Sequence, residues 1–319
     1  MNNNYLWVEK YRPSKLDNIT SQSHIIDTLK SVLITKNIPH LIFFGPSGCG
    51  KTSTILALAK EIFGDTYAER IIEFNASDER GINVIREKIK TYAKQSIKQV
   101  DGIPPWKIII LDEADTMTPD SQFALRRIIE QYSKITRFCI ICNYHTKIIE
   151  PIISRCSSFR FKPIDSNDIL IKLEYICKNE NIIYSNDILN KIIKISRGDL
   201  RKAINLLQKC NNYNKEINED ILNEISGIMP TKLFNKLMNS IFSKDIDKIN
   251  NTINNIYLNS YSLINQIIII HDYIINYNIS SIIKSKIIYK LTEIDQNLIN
   301  GCDEYIQLMN FAYYIINII

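Results

Sequence analysis

The chain lacks a long apolar run. Its longest hydrophobic stretches, such as Ile264 to Tyr277, are broken by polar residues, here Asn265, Gln266, His271 and Asp272, and no apolar segment follows Met1. Neither a membrane span nor a leader is read from it, and a soluble, intracellular protein is expected. A disulfide framework is missing too. Seven cysteines, an odd number without paired spacings, fit reduced thiols in a reducing compartment. One group, Cys139, Cys142, His145 and Cys156, could be read as zinc ligands. Cys139 and Cys142, however, lie three apart in the strand-like run Phe138 to Cys142, and residues three apart on a strand face opposite ways, so core cysteines are expected. Nor is there a large charge surplus. The net charge of +5 and pI near 8.6 permit a nucleic-acid partner without requiring one.

What is present is a change of pattern along 319 residues, a length that suits roughly two or three domains. Apolar strand-like runs recur at Leu41 to Phe44, Ile71 to Phe74, Ile108 to Leu111, Phe138 to Cys142 and Ser158 to Phe161, with helical patterns between most of them. Such alternation predicts a parallel sheet covered on both faces, with ligands at the carboxyl ends of its strands. From Asp165 onward the strand signal stops. Amphipathic helical segments follow, broken near Gly198, Asn211 to Lys215 and Gly227 to Pro230. This part is crowded with Ile, Asn, Lys and Tyr, but its spaced isoleucines are too apolar for a solvated tail, and a folded helical scaffold is expected.

The first chemical motif leaves the first of those strands. Gly45, Pro46, Ser47, Gly48, Cys49, Gly50, Lys51 and Thr52 spell GPSGCGKT, and a helical pattern runs from Thr52 to Phe63 before Gly64. Glycines let the backbone wrap a polyphosphate, Lys51 reaches the outer phosphates, and the Thr52 hydroxyl can ligate Mg²⁺. The helix N-terminus adds partial positive charge against the same anion. The four fixed positions arise by accident in roughly one chain in a hundred of this length.

A second strand, Ile108 to Leu111, delivers Asp112, Glu113, Ala114 and Asp115 at its tip. Beside a phosphate loop, Asp112 would hold Mg²⁺ and Glu113 would orient and deprotonate a water attacking the γ-phosphate. Further on, Asp199 reads as a helix N-cap, which puts Arg201 in a first helical turn where a cation is disfavoured by the helix dipole. A nearby anion would resolve that conflict.

These motifs carry a resemblance. Asp112 to Asp115 reads DEAD without the other helicase signatures, Val8 to Pro13 reads VEKYRP, and Phe74 to Ile82 reads FNASDERGI. Ser121 to Arg127 reads SQFALRR, Cys142 to Tyr144 CNY, Ser154 to Cys156 SRC, and Gly198 to Arg201 GDLR. In this order, over roughly the first 210 residues, the chain resembles the small subunits of replication factor C, the AAA+ clamp loader. Beyond residue 230 only length and helical character agree.

The resemblance implies roles. Asn143 matches sensor 1, which positions the γ-phosphate or the attacking water, and Arg201 matches sensor 2, reaching ATP from a helical lid. Arg155, expected on the domain surface after Pro151 and a helical turn, matches the arginine finger given in trans to a neighbouring subunit. Val8, Tyr11 and Arg12 match the segment that packs by the adenine. The implied partners are the other subunits of a five-membered ring, a PCNA-type sliding clamp and primer-template DNA, with ATP and Mg²⁺ as cofactors and no membrane. Replication in the nucleus or in a cytoplasmic compartment would both suit it.

For DNA the relevant segment is Arg80 to Lys98. A helix capped by Ser77 or Asp78 would align Asn83, Arg86, Lys90 and Lys94 in one basic stripe, with Val84, Ile85 and Ile89 facing inward. Helices of this region in clamp loaders track the duplex backbone, so contacts to phosphates are implied, insensitive to sequence and weakened by salt.

The expected architecture is α/β: an AAA+ P-loop parallel sheet with helices on both faces (1–164), an all-α lid (165–226) and an all-α collar that joins subunits (227–319). The terminal stretch Phe311 to Ile319 is expected to be buried collar surface. Two rivals are a different AAA+ machine, such as a branch-migration motor or replication initiator, and a ring scaffold that binds nucleotide without hydrolysing it. The first commonly appends a winged-helix domain, for which no pattern is found. Intact Lys51, Asp112, Glu113 and Asn143 argue against the second.

Overall fold

A computed structural model describes residues 6–35, 37–76, 82–95, 99–213 and 217–319, except the side chains of 82–86 and 220. The chain divides into two compact units, 1–208 and 209–319.

The first unit holds a five-stranded sheet of β1 (His40–Phe44), β2 (Ile71–Asn75), β3 (Lys107–Asp112), β4 (Thr136–Cys142) and β5 (Cys156–Arg160), in the order β2-β3-β4-β1-β5. Every pairing is parallel, with Leu41 opposite Cys139, Cys139 opposite Ile110, and Asn75 opposite Asp112. The three inner strands read as nearly unbroken apolar runs because helices cover both faces. One face packs Leu41, Phe43, Ile108, Ile110, Cys139 and Ile141; the other packs Ile42, Ile109, Leu111, Ile140 and Cys142. Cys139 and Cys142 thus lie on opposite faces, as their spacing implied. Buried on the two faces, they do not converge on one point, and among the described residues no group of three or more His, Cys, Asp or Glu is placed to hold a metal ion.

The fifth strand begins earlier than its apolar pattern indicated, at Cys156 rather than Ser158. It is an edge strand with alternately exposed residues, so pairing with β1, from His40 opposite Cys156 to Phe44 opposite Arg160, defines it better than hydrophobicity does.

The helices of this unit are α1 (Trp7–Lys10), α2 (Ser23–Thr35), α3 (Lys51–Phe63), α4 (Tyr67–Arg70), α5 (Ile82–Lys94), α6 (Pro119–Tyr132), α7 (Glu150–Ile153), α8 (Ser166–Glu180), α9 (Asn186–Ser196) and α10 (Leu200–Tyr213), within which the unit ends. Side-chain caps start several of them. Thr118 accepts from Ser121 N and Ser185 from Ile188 N, and each such cap contributes about 1 kcal/mol.

The second unit contains α11 (Glu219–Ser226), α12 (Thr231–Phe242), α13 (Ile246–Leu258), α14 (Leu263–Asn276), α15 (Ser281–Ile299) and α16 (Glu304–Ile318). Asn218, Asp245, Ser280 and Asp303 cap four of these through the N–H three residues on. The polar residues scattered among the isoleucines therefore punctuate the helices. Phe234, Leu237, Ile253, Ile270, Ile294 and Phe311 are among the residues of one core. In the terminal stretch Phe311, Ala312 and Ile315 face that core, while Asn317 and Ile319 are exposed. Among the described residues no helix is long and apolar enough to cross a membrane.

Candidate nucleotide site

The site begins where β1 ends. The loop from Gly45 turns into α3 at Gly50, whose φ of +97° is open to glycine and strained for other residues. The first N–H groups of α3 lack intrahelical acceptors and point into the loop, which makes it an anion cradle. Gly48, with φ +66°, answers a different need: a Cβ there would lie 1.8 Å from Asp199 Oδ1. The start of α10 rests on the loop, with Leu200 N donating to Gly48 O at 3.2 Å. Asp199 Oδ1 accepts from Lys202 N at 2.9 Å, the N-cap that the sequence indicated, and it leaves Arg201 in the first turn.

Lys51 is only 8% exposed. Its Nζ donates to Gly45 O at 2.7 Å, Pro46 O at 2.8 Å and Asn143 Oδ1 at 3.0 Å. The β1 loop and the tip of β4 therefore meet at this ammonium, through the adjacent pairing of those strands. Thr52 Oγ1 donates to Asp112 Oδ2 at 2.8 Å, joining the helix start to the tip of β3. Asp112 Oδ1 in turn accepts from Glu113 N at 2.8 Å. Glu113 sits at φ +54°, ψ +36°, a left-handed conformation that costs a residue with a Cβ about 1 kcal/mol or more and recurs at functional sites.

These groups share one cleft of about 1020 Å³, open mouth included, lined by Val8, Tyr11, Arg12, Ser47 to Ser53, Asp112, Glu113, Asn143 and Arg201. Gly45 and Pro46 lie behind it and supply carbonyls to Lys51. Cys49 is buried beside them, its thiol donating to Pro46 O at 2.9 Å and pushed up in pKa by burial. The donor set fits a nucleotide triphosphate: a helix N-terminus, a lysine and an arginine converge on one cavity. It also fits Mg²⁺, because Thr52 and Asp112 offer paired hard oxygens, and this ion commonly takes one or two carboxylates plus substrate phosphates.

Several contributors were not legible from the motifs. Asn18, Ile19, Thr20, Ile164, Lys172 and Ile204 also line the cleft. Glu73 on β2 has its carboxyl pKa raised by burial and by Asp112, with Arg12 and Arg201 acting in opposition. Tyr11 has a double task. Its hydroxyl donates to Glu180 Oε1 at 2.5 Å and its ring stands edge-on to Tyr175, so burial and Glu180 raise the phenol pKa. Lys10 Nζ reaches the same Glu180 oxygen at 2.6 Å, and Trp7 N donates to Gln208 Oε1 at 3.0 Å. The N-terminal segment is thereby fastened to α8 and α10. Only a search for distant acidic and amide partners could have found this, because nothing in local spacing marks Glu180 or Gln208.

Arg155 lies apart from the cleft. Its guanidinium contacts Glu130 Oε1 at 2.7 Å and Pro151 O at 2.7 Å on the surface, and Arg126 reaches the same Glu130 oxygen at 3.0 Å. Both arginines hold the Glu130 carboxyl below its usual range, Arg126 foremost.

On the basic stripe, Lys90 and Lys94 are exposed and Ile89 is buried. Ser77, Asp78 and Arg80 lie outside the described residues, as do the side chains of Asn83, Val84, Ile85 and Arg86. The C-terminal end of α5 is held from β3. Lys107, 1% exposed, donates to Tyr92 O, and to Gln95 O at 2.6 Å, and burial lowers its pKa to about 8.

A parallel sheet in this order, with a phosphate loop after β1 and acidic residues after β3, defines an AAA-type ATPase module. Residues 41–164 match the family "ATPase family associated with various cellular activities (AAA)". Residues 172–211 match "RCF1/5-like, AAA+ ATPase lid domain", and residues 229–313 match "Replication factor C C-terminal domain". Replication factor C subunit 2 of Schizosaccharomyces pombe is 43% identical over 311 residues, covering 95% of this chain and 92% of that protein. Subunit 4 of Homo sapiens is 43% identical over 316 residues (96% and 86%), and the small subunit of Saccharolobus solfataricus 42% over 309 (95% and 92%). The chain belongs to the replication factor C family and is an AAA+ ATPase subunit of a clamp loader. Among solved structures, a RuvB variant from Thermotoga maritima superposes with a TM-score of 0.55 at 16% identity, covering 72% of this chain and 79% of that one. That likeness is one of fold alone. The branch-migration rival thus shares the architecture, whereas the family matches separate it from this chain.

Proposed function

We propose that the chain binds ATP with Mg²⁺ in this cleft and, in a five-membered ring with other clamp-loader subunits, opens a PCNA-type sliding clamp and loads it on primer-template DNA. The carrying observation is the convergence of Lys51, Asn143, Thr52, Asp112 and Glu113 from three strand tips at one cleft, with Arg201 entering from the lid. Lys51 and the first turn of α3 bind the phosphates, and Asn143 places the γ-phosphate or the attacking water. Glu113 orients that water and takes its proton. Thr52 and Asp112 would hold Mg²⁺, which would supply charge neutralisation for the phosphates. Val8, Tyr11 and Arg12 bound the adenine end.

Arg155 lies on the surface, in a position suited to serve a neighbour's site. Its own site would then be completed by another subunit. The residues divide functionally into an ATPase domain (1–164), a lid (165–226) and an oligomerising collar (227–319). The DNA contact falls to α5, through Lys90 and Lys94 and, by the sequence stripe, Asn83 and Arg86, with Arg80 preceding them in the sequence. The work is done at sites of DNA replication, in the nucleus or in a cytoplasmic replication compartment.

ATPase assays on the complex reconstituted with its partner subunits test this. Turnover should rise when clamp and primed DNA are added together, and Glu113→Gln should abolish this chain's share while ATP still binds. Replacing Lys90 and Lys94 by Glu should weaken DNA binding and lower the slope of log affinity against log salt by about 2. Turnover indifferent to both clamp and primed DNA would refute the loader reading.

A further inference from the structure

The fourth residue of the acidic motif, Asp115, has no part in the chemistry assigned to Asp112 and Glu113. After β3 the left-handed conformation of Glu113 reverses the chain into a tight turn, Ala114 to Thr116, closed by Thr116 N and Thr116 Oγ1 donating to Glu113 O at 3.0 and 2.8 Å. Ala114, 1% exposed, anchors the turn in the core. Asp115 is thereby carried sideways from β3 to the tip of β4. Its Oδ2 accepts from both Asn143 N at 3.3 Å and Tyr144 N at 3.2 Å. Asn143 follows the last residue of β4, and its side-chain oxygen meets Lys51 Nζ at 3.0 Å. With Oδ1 so engaged, the Nδ2 donors of Asn143 remain for a phosphate oxygen or a water.

We propose that Asp115 is a positioning residue for hydrolysis: its carboxylate holds the backbone at Asn143 and Tyr144 so that the Asn143 amide stays registered against Lys51 and the γ-phosphate. The acidic motif then divides its labour, with one carboxylate for the metal, one for the water, and one for the neighbouring strand's sensor. A carboxylate suits this task because charge strengthens both hydrogen bonds, and one oxygen can accept two N–H groups. A misplacement near 1 Å at a catalytic amide is enough to lower turnover by about a hundredfold.

The inference rests on the reading of Asn143 as the sensor, so the test separates the two. In the complex reconstituted with partner subunits, Asn143→Ala, Asp115→Ala, Asp115→Asn and the Asp115→Ala/Asn143→Ala pair are compared by single-turnover hydrolysis, nucleotide affinity and thermal melting. Asn143→Ala should slow hydrolysis about 10² to 10³-fold. Asp115→Ala should slow it about 10 to 10²-fold, with nucleotide affinity changed less than about threefold, since the phosphate loop is untouched. The pair should be no slower than Asn143→Ala alone, because both changes remove one function. Asp115→Asn, whose amide oxygen still accepts, should recover part of the loss. If Asp115→Ala fails to assemble, Asp115→Asn carries the test, with a smaller slowing that vanishes in the Asn143→Ala background. Multiplicative effects, unchanged hydrolysis, or a parallel fall of affinity and melting temperature would overturn the positioning role. A silent Asn143→Ala would overturn the sensor reading and this inference with it.

Discussion

Residues 1–208 and 209–319 are both well-packed units, yet their sequences specify them differently. In the first, individual residues are held to narrow geometry: Gly48 is confined by Asp199, Lys51 by three oxygens, and Glu113 by an unfavourable backbone angle. In the second, isoleucines repeat at helical spacing around one core, and short polar residues mark where helices begin. Chemistry demands particular atoms at particular places, whereas a helical core demands apolar volume and periodicity. The first kind of constraint leaves motifs, and the second leaves only a pattern.

The largest test of this contrast is Arg155→Ala. If the first unit's surface completes a neighbour's site, ATP affinity should stay unchanged and hydrolysis at the adjacent site should fall about 10³ to 10⁵-fold in the assembled ring. Unchanged ring turnover would refute a role in trans and leave the surface arginine with its contacts to Glu130 and Pro151. Next in size is Phe311→Ala in the second unit, where Phe311 is 1% exposed. Loss of about 3–5 kcal/mol from that unit is expected in denaturant titrations, without altered nucleotide affinity; an affinity change would break the division between the units.

A smaller effect is expected from Gly48→Ala, about 1–3 kcal/mol, from φ strain and displacement of the Asp199 cap. Here nucleotide affinity should fall with stability, because Arg201 follows the same cap. The smallest is a pH effect. Burial, and secondarily Arg137, depress His40 to about 4, while Phe138 N donates to its Nδ1 at 3.2 Å. The unfolded state therefore binds the extra proton between about 6.5 and 4, and stability is lost as pH falls through that window, with a ceiling near 3 kcal/mol. In His40→Asn, which keeps an acceptor for Phe138, the melting temperature should fall less steeply over the same range. An equal slope would place the acid sensitivity elsewhere.

Much of the site was legible because its residues are consecutive or end strands. GPSGCGKT, Asp112, Glu113 and Asn143 are all of this kind, and the N-cap at Asp199 was readable from spacing. Glu180, Gln208 and Glu73 were not, since their partners are distant in sequence, nor was Lys172, which lines the cleft from outside any motif. The start of β5 was missed for a related reason: an edge strand declares itself by pairing more than by hydrophobicity.

The sequence by itself determined the class of chemistry, the parallel sheet and the family, because phosphate loops, acidic strand ends and apolar runs are local requirements. Tertiary structure alone decided which groups meet. Strand order brings β1, β3 and β4 side by side, so that Lys51 touches Asn143, Thr52 touches Asp112, and Asp115 reaches the tip of its neighbour. Parallel strands bring together residues far apart in the chain, and hydrogen bonds act over about 3 Å. No local spacing encodes those encounters.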